Sequence, residues 1–115
     1  MFGKSLIAKI VKSENIMEHN LKLTKDIKKK VIEVLKKHGT KKISIFGSFV
    51  RGKATDKSDL DVIVEFNEVK GLIAFVEIQN ELLDALNMRI GLLTESSISP
   101  YLIDKIKKEA VVIYG

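Results

Sequence analysis

Between residues 42 and 66 the rhythm of apolar positions changes twice. Lys42-Ile43-Ser44-Ile45-Phe46 is a short, largely apolar run that predicts a buried strand. Gly47-Ser48 breaks it, and Phe49-Val50-Arg51 then predicts the opening of a helical turn. Further on, Leu60, Val62, Val64 and Phe66 alternate with Asp59, Asp61 and Glu65. Alternation of this kind predicts a strand with one face to bury and one that presents charge.

The flanking segments read as helices and two more strands. Thr24 is placed to cap a helix in which Ile27, Val31, Val34 and Leu35 make one stripe; Lys36, Lys37 and His38 occupy its last turn, and Gly39 stops it. Val69 to Asn87 carries Leu72, Ile73, Val76, Leu82, Leu83 and Leu86 at helical spacing, and Asn87 ends it. Met88 to Thr94 predicts a strand. Ser99-Pro100 is a cap followed by proline at the first helical position, with Leu102, Ile103 and Ile106 expected inward and Lys105, Lys107 and Lys108 outward. Val111-Val112-Ile113-Tyr114 closes the chain as a strand. Leu6, Ile7, Ile10 and Val11 predict a further amphipathic helix over residues 4 to about 18, which divides the chain into an extra segment, 1–22, and a core, 23–115. The order predicts an α/β (α+β) fold: a small mixed sheet with helices on one face and the other face partly open for a ligand.

Composition narrows the function classes. At 115 residues the chain is expected to be one domain without need of metal or disulfide staples. With no cysteine, thiolate chemistry and disulfide frameworks are excluded, and a reducing cytoplasm is the default expectation. Leu72 to Val76 and Ala110 to Tyr114 are apolar runs far too short to span a bilayer, and lysines interrupt the N-terminal apolar stretch where a secretory signal would lie. The net charge of +5 is uneven: residues 1–42 hold twelve Lys against four acids, residues 43–115 eight Lys or Arg against eleven acids. Arg51 and Arg89 are the arginines, and no aromatic residues interleave the lysines, so a solvated lysine face is favoured over a nucleic-acid surface.

The chemistry gathers where the two central strands meet their turns. An extended chain sets Asp59 and Asp61 on one face roughly 6 to 7 Å apart. An acid at the second position of an otherwise apolar strand is costly unless bound, and a divalent cation with hard oxygen ligands is the candidate: Mg²⁺ takes one or two carboxylates together with substrate phosphate oxygens. Gly47 allows close backbone approach, and Ser48 brings a hydroxyl to a helix start where N–H groups face outward, a place for phosphate. Each also has a plainer reading, Gly47 as a strand-ending glycine, Ser48 as an N-cap and Asp59 as a turn residue. Arg51 is split between clamping a triphosphate and ordering the loop. Lys53 reads as solvated, His19 has no partner motif, His38 reads as a helix-end residue, and Tyr101 and Tyr114 as packing residues.

Gly47-Ser48-Phe49-Val50-Arg51-Gly52, followed by Ser58-Asp59-Leu60-Asp61-Val62-Ile63-Val64-Glu65-Phe66, resembles the minimal nucleotidyltransferase domain of the DNA polymerase β-like superfamily. More narrowly, it looks like the antitoxin branch paired with HEPN-domain ribonuclease toxins. The resemblance covers roughly Ile27 to Tyr114. It implies that the Gly-Ser turn holds a nucleoside triphosphate, that Asp59 and Asp61 bind Mg²⁺, and that ATP donates AMP to a tyrosine of a HEPN toxin partner. The family also carries a third acidic residue on a later strand, and the matching position here is Gly91; Glu95, just past that strand, is a substitute to be tested, whereas Glu65 lies about 13 Å beyond Asp61 on its own strand. The alternative is a nucleotide-binding module without turnover that neutralises a toxin by complex formation. RNA binding by the basic N-terminal half is a third reading, with strongly salt-dependent affinity as its signature.

Overall fold

The structure, a computed structural model, describes residues 22–115. The helix expected over residues 4–18, the extra segment as a unit, and His19 lie outside the described residues. In chain order the elements are α1 (Lys25–Lys36), β1 (Thr40–Phe46), a one-turn helix α2 (Ser48–Arg51), β2 (Leu60–Phe66), α3 (Leu72–Leu86), β3 (Ile90–Leu93), a 3₁₀ turn (Glu95–Ser97), α4 (Pro100–Glu109) and β4 (Val111–Tyr114). The mixed α/β fold expected from the sequence is the one observed.

Local rules explain the boundaries. Thr24 Oγ1 accepts a hydrogen bond from the Ile27 N–H at 3.1 Å and starts α1. Gly39, at φ +73°, turns the chain after it into β1. Asn87 ends α3 in the left-handed conformation, its N–H donating to the Leu83 carbonyl, a role asparagine tolerates better than most residues. Ser99 caps α4 through the Tyr101 N–H with Pro100 in the first turn.

The four strands run in the order β3-β2-β1-β4. β1 pairs antiparallel with both β2 and β4, whereas β2 and β3 are parallel and begin together, with Leu60 opposite Ile90 and Asp61 opposite Gly91. Ile43, Ile45, Leu60, Val62, Val64, Ile90 and Leu92 point to one face and form a core with Val31, Val34 and Leu35 of α1 and Ile78 and Leu82 of α3. Side-chain alternation sends Ser44 and Ile63 to the other face, and they too are buried. The 3₁₀ turn contacts β2 and α4 contacts β1 there, which leaves the Asp59 and Asp61 end of that face accessible.

Several expectations need correction. α3 starts at Leu72 rather than Val69, and Leu72, Ile73 and Val76 are exposed on its first turns, while Ile78 and Leu82 supply the buried contacts. The strand expected over 88–94 is confined to Ile90–Leu93. Leu102 is half exposed and Tyr101 almost fully so, because α4 is covered along one side only; the reading of Tyr101 as a packing residue does not hold. β1 extends back to Thr40 through a bulge at Lys41, which the apolar run beginning at Ile43 does not signal.

α1 and α3 are also joined by charge. The Glu81 carboxylate of α3 accepts from Lys37 Nζ and stands 2.8 Å from His38 Nε2, so the two residues that close α1 hold it from both sides. These hydrogen bonds, with Lys37 the stronger, keep the Glu81 carboxyl below its usual range. A depressed carboxyl stabilises the fold above its unfolded-state pKa, near 4.5, and loses that contribution as pH falls through the folded value. The melting temperature of Glu81→Gln should therefore lie below that of the wild type at pH 7, and the gap should close as pH falls from 4.5 through the lower folded-state value. Thermal unfolding followed by circular dichroism across that range checks it.

Candidate functional site

β1 ends at Phe46, and the chain reverses at Gly47 into α2. Gly47 sits at φ +83°, ψ −154°, a backbone region open in practice to glycine alone. The reason is spatial as well as torsional: a Cβ at position 47 would collide with Asp61 Oδ2. β1 and β2 are neighbours with Phe46 opposite Asp61, so the turn that follows Phe46 is carried directly over the Asp61 carboxylate. On its other side Asp61 faces Gly91, where a Cβ would stand 3.3 Å from Asp61 Oδ1. Two glycines, one in the turn after β1 and one in β3, thus flank one half-buried carboxylate.

Burial raises the Asp61 carboxyl above its ordinary range, and the neighbouring charge of Asp59 adds to the effect; Arg51 opposes it, and Glu109 reinforces it. Asp59 lies one residue before β2, more exposed, with Oδ1 2.8 Å from Arg89 Nε. The parallel start of β2 and β3 brings Arg89 there, since the Leu60 N–H donates to the Arg89 carbonyl at 2.8 Å. Sequence reasoning gave Arg89 no role, for its partner depends on a pairing that no local pattern announces. It also missed Glu109, the last residue of α4, whose Oε2 accepts from the Gly47 N–H at 2.8 Å and whose Oε1 accepts from Arg51 Nη1 at 2.7 Å.

The sequence-derived candidates therefore assemble: Gly47, Ser48, Arg51, Asp59 and Asp61 surround one end of β2. Glu95 does not join them, because β3 runs parallel to β2 and carries the chain away from Asp61; Glu95 stands instead near Lys107, 3.6 Å away. Glu65, farther along β2, pairs with Lys41 at 3.5 Å. Among the described residues no group of three or more His, Asp or Glu side chains forms a protein-only metal cage. What is present, a crowded carboxylate pair of which one member is half-buried and charge-strained, fits Mg²⁺, which keeps most of its coordination sphere for water and phosphate. A groove of about 750 Å³ lies at the opposite end of β2, lined by Phe66, Leu72, Phe75 and Leu92 among others. Its walls are mainly apolar, and neither the Gly47 turn nor Asp59 and Asp61 line it. Among the described residues no helix is long and apolar enough to cross a membrane.

Comparison with known proteins gives a consistent result. The family model described as "Nucleotidyltransferase domain" matches residues 27–113. A protein of Methanocaldococcus jannaschii, assigned provisionally as a protein adenylyltransferase, is 45% identical over 86 residues, covering 75% of this chain and 92% of that protein. Protein adenylyltransferase MntA of Thermococcus cleftensis is 33% identical over 81 residues, covering 70% of this chain and 82% of that one. Among solved structures, a chain of a toxin–antitoxin crystal structure with AMP-PNP superposes with a TM-score of 0.69 at 26% identity, over 76% of this chain and 73% of the other.

Proposed function

The chain belongs to the nucleotidyltransferase domain family, and from that premise we propose that it is a Mg²⁺-dependent protein adenylyltransferase that transfers AMP from ATP to a tyrosine hydroxyl of a HEPN toxin, and so acts as that toxin's antitoxin. The observation that carries this reading is the seating of Asp61 directly beneath the Gly47 turn, with Asp59 beside it. The names of the M. jannaschii and T. cleftensis relatives support the protein-adenylylating activity, and the toxin–antitoxin neighbour with AMP-PNP supports both the adenine nucleotide and the toxin partner.

In this reading Asp59 and Asp61 would hold Mg²⁺, which when bound neutralises phosphate charge and orients the reacting groups. Gly47 lets the triphosphate approach the backbone, the Ser48 hydroxyl donates to a phosphate oxygen, and Arg51 contributes positive charge against the β and γ groups. The acceptor oxygen bonds to the α-phosphorus, the bond from that phosphorus to the bridging oxygen breaks, and pyrophosphate departs. The acceptor proton passes to solvent, as position 91 offers no carboxylate to receive it. This chain's contribution is placement and charge, with no covalent intermediate on the protein.

Gly91 favours a second reading. Its place opposite Asp61 is where a third carboxylate would share the metal, and its absence supports a module that binds nucleotide and silences the toxin by complex formation alone. Incubation with labelled ATP, Mg²⁺ and the cognate toxin separates the two. Label on the toxin is the expected result, and Gly91→Asp should raise its rate on the order of tenfold or more by adding a third oxygen donor and proton acceptor beside Asp61. Label transferred by Gly91→Asp and not by the wild type would overturn the enzymatic reading and leave the binding module.

A further inference from the structure

Two of the groups placed above beside the triphosphate, the Gly47 backbone and Arg51, already hold an anion. One Glu109 oxygen accepts from the Gly47 N–H and the other from the Arg51 guanidinium, at 2.8 and 2.7 Å. A backbone amide and an arginine converging on two oxygens of one group is the pattern by which proteins grip phosphate. Nothing local produces it, since Glu109 stands 62 residues from Gly47 and 58 from Arg51. The contact is built by the fold: α4 ends at Glu109, and the chain enters β4 two residues later to pair with β1, the strand whose end is Gly47's own approach.

We propose that Glu109 is an internal substitute for phosphate, occupying the cradle of the free protein and displaced from it when nucleotide binds; the inference rests on the nucleotidyltransferase reading above. Three points support it. Gly47 has one N–H, which cannot serve both the carboxylate and a phosphate oxygen at full strength, whereas Arg51 has donors to share. Glu109 remains an anion there, because the Gly47 N–H first, and Arg51 and Lys105 after it, hold its carboxyl below the usual range. A second anion arriving at the same donors would meet that charge at close quarters, and a triphosphate, with several charges and its metal, outcompetes a single carboxylate.

The arrangement has two consequences. In the free protein Glu109 satisfies the Gly47 N–H and holds Arg51 in place, so the cradle stays formed between turnovers. In the bound protein the released carboxylate sits at the joint between α4 and β4, whose Val111 and Val112 are part of the exposed edge of the sheet.

The test measures AMP-PNP affinity in the presence of Mg²⁺ by calorimetry on the full chain, for wild type, Glu109→Gln and Glu109→Ala. Removing the competing anion should tighten binding about tenfold in Glu109→Ala, as expected for loss of one charge-assisted competitor, and by less in Glu109→Gln, which still accepts from Gly47. In wild type alone, the ¹³C resonance of the Glu109 side-chain carboxylate should move toward that of an exposed glutamate when AMP-PNP is added. This second readout stands even if a variant fails to fold. Binding to wild type with equal or weaker affinity in the variants, or a Glu109 resonance that does not move on saturation, overturns the proposal and makes Glu109 a positioning residue for Arg51. Absence of nucleotide binding in all three proteins is a different failure: the nucleotidyltransferase reading itself is lost, and the internal phosphate substitute with it.

Discussion

Asp61→Asn should abolish AMP transfer while making the metal-free protein harder to unfold. The first effect follows from position: Asp61 is the carboxylate that the Gly47 turn overhangs, and a neutral amide there gives up the charge that would hold Mg²⁺ against the phosphates, a loss of about 10³-fold or more in rate. The second follows from the same crowding. Burial and the Asp59 charge both work against ionised Asp61, and only Arg51 among its named neighbours favours it. Removing the charge relieves that strain; after allowance for solvent screening at a half-exposed site the gain is up to about 1 kcal/mol, a rise of a few degrees in melting temperature. Labelled-ATP transfer and thermal unfolding without metal give both numbers from one preparation. A lower melting temperature would show that the carboxylate is engaged in holding the fold rather than held by it.

Gly47→Ala should be the most damaging single-methyl change in the site. Its φ of +83° with ψ of −154° is a region where an L side chain is strained by roughly 1–3 kcal/mol, and the added Cβ would in addition collide with the Asp61 carboxylate. We expect a loss of about 2–4 kcal/mol and a fall in melting temperature of roughly 10 °C or more, with transfer abolished in what remains folded. Gly52→Ala is the control. Gly52 also has positive φ, +74°, but a Cβ there meets nothing within 4 Å, so only the backbone term of about 1 kcal/mol applies. Equal melting temperatures for the two variants would show that Asp61 does not lie against the turn as the structure has it.

Most of what made this site findable is local. Gly47-Ser48 after an apolar run, and two aspartates separated by one residue at the head of an alternating strand, are patterns that neighbouring residues determine, and with them the family could be read from the sequence. The same holds for Thr24, Gly39, Asn87 and Ser99-Pro100, each of which ends or begins an element through hydrogen bonds a few residues away. What escaped was contributed from a distance. Arg89 reaches Asp59 because β2 and β3 are parallel and in register; Glu109 reaches Gly47 because α4 folds back across β1. Helical spacing likewise identified α3, yet it could not tell that Leu72, Ile73 and Val76 would face outward, since periodicity shows which residues share a side and not which side is covered.

β1 is an inner strand whose two neighbours, β2 and β4, are made after it, β4 some fifty residues beyond Asp61, at Val111–Tyr114. During synthesis, then, the ribosome has long since released the glycine turn and both aspartates before the strand that closes the sheet has emerged from the exit tunnel. A partly made chain presents the ingredients of the site without the scaffold that fixes their distances. Competence therefore hangs on β4, and a chain cut before Val111 keeps the turn and both aspartates without the strand that braces β1 beneath them.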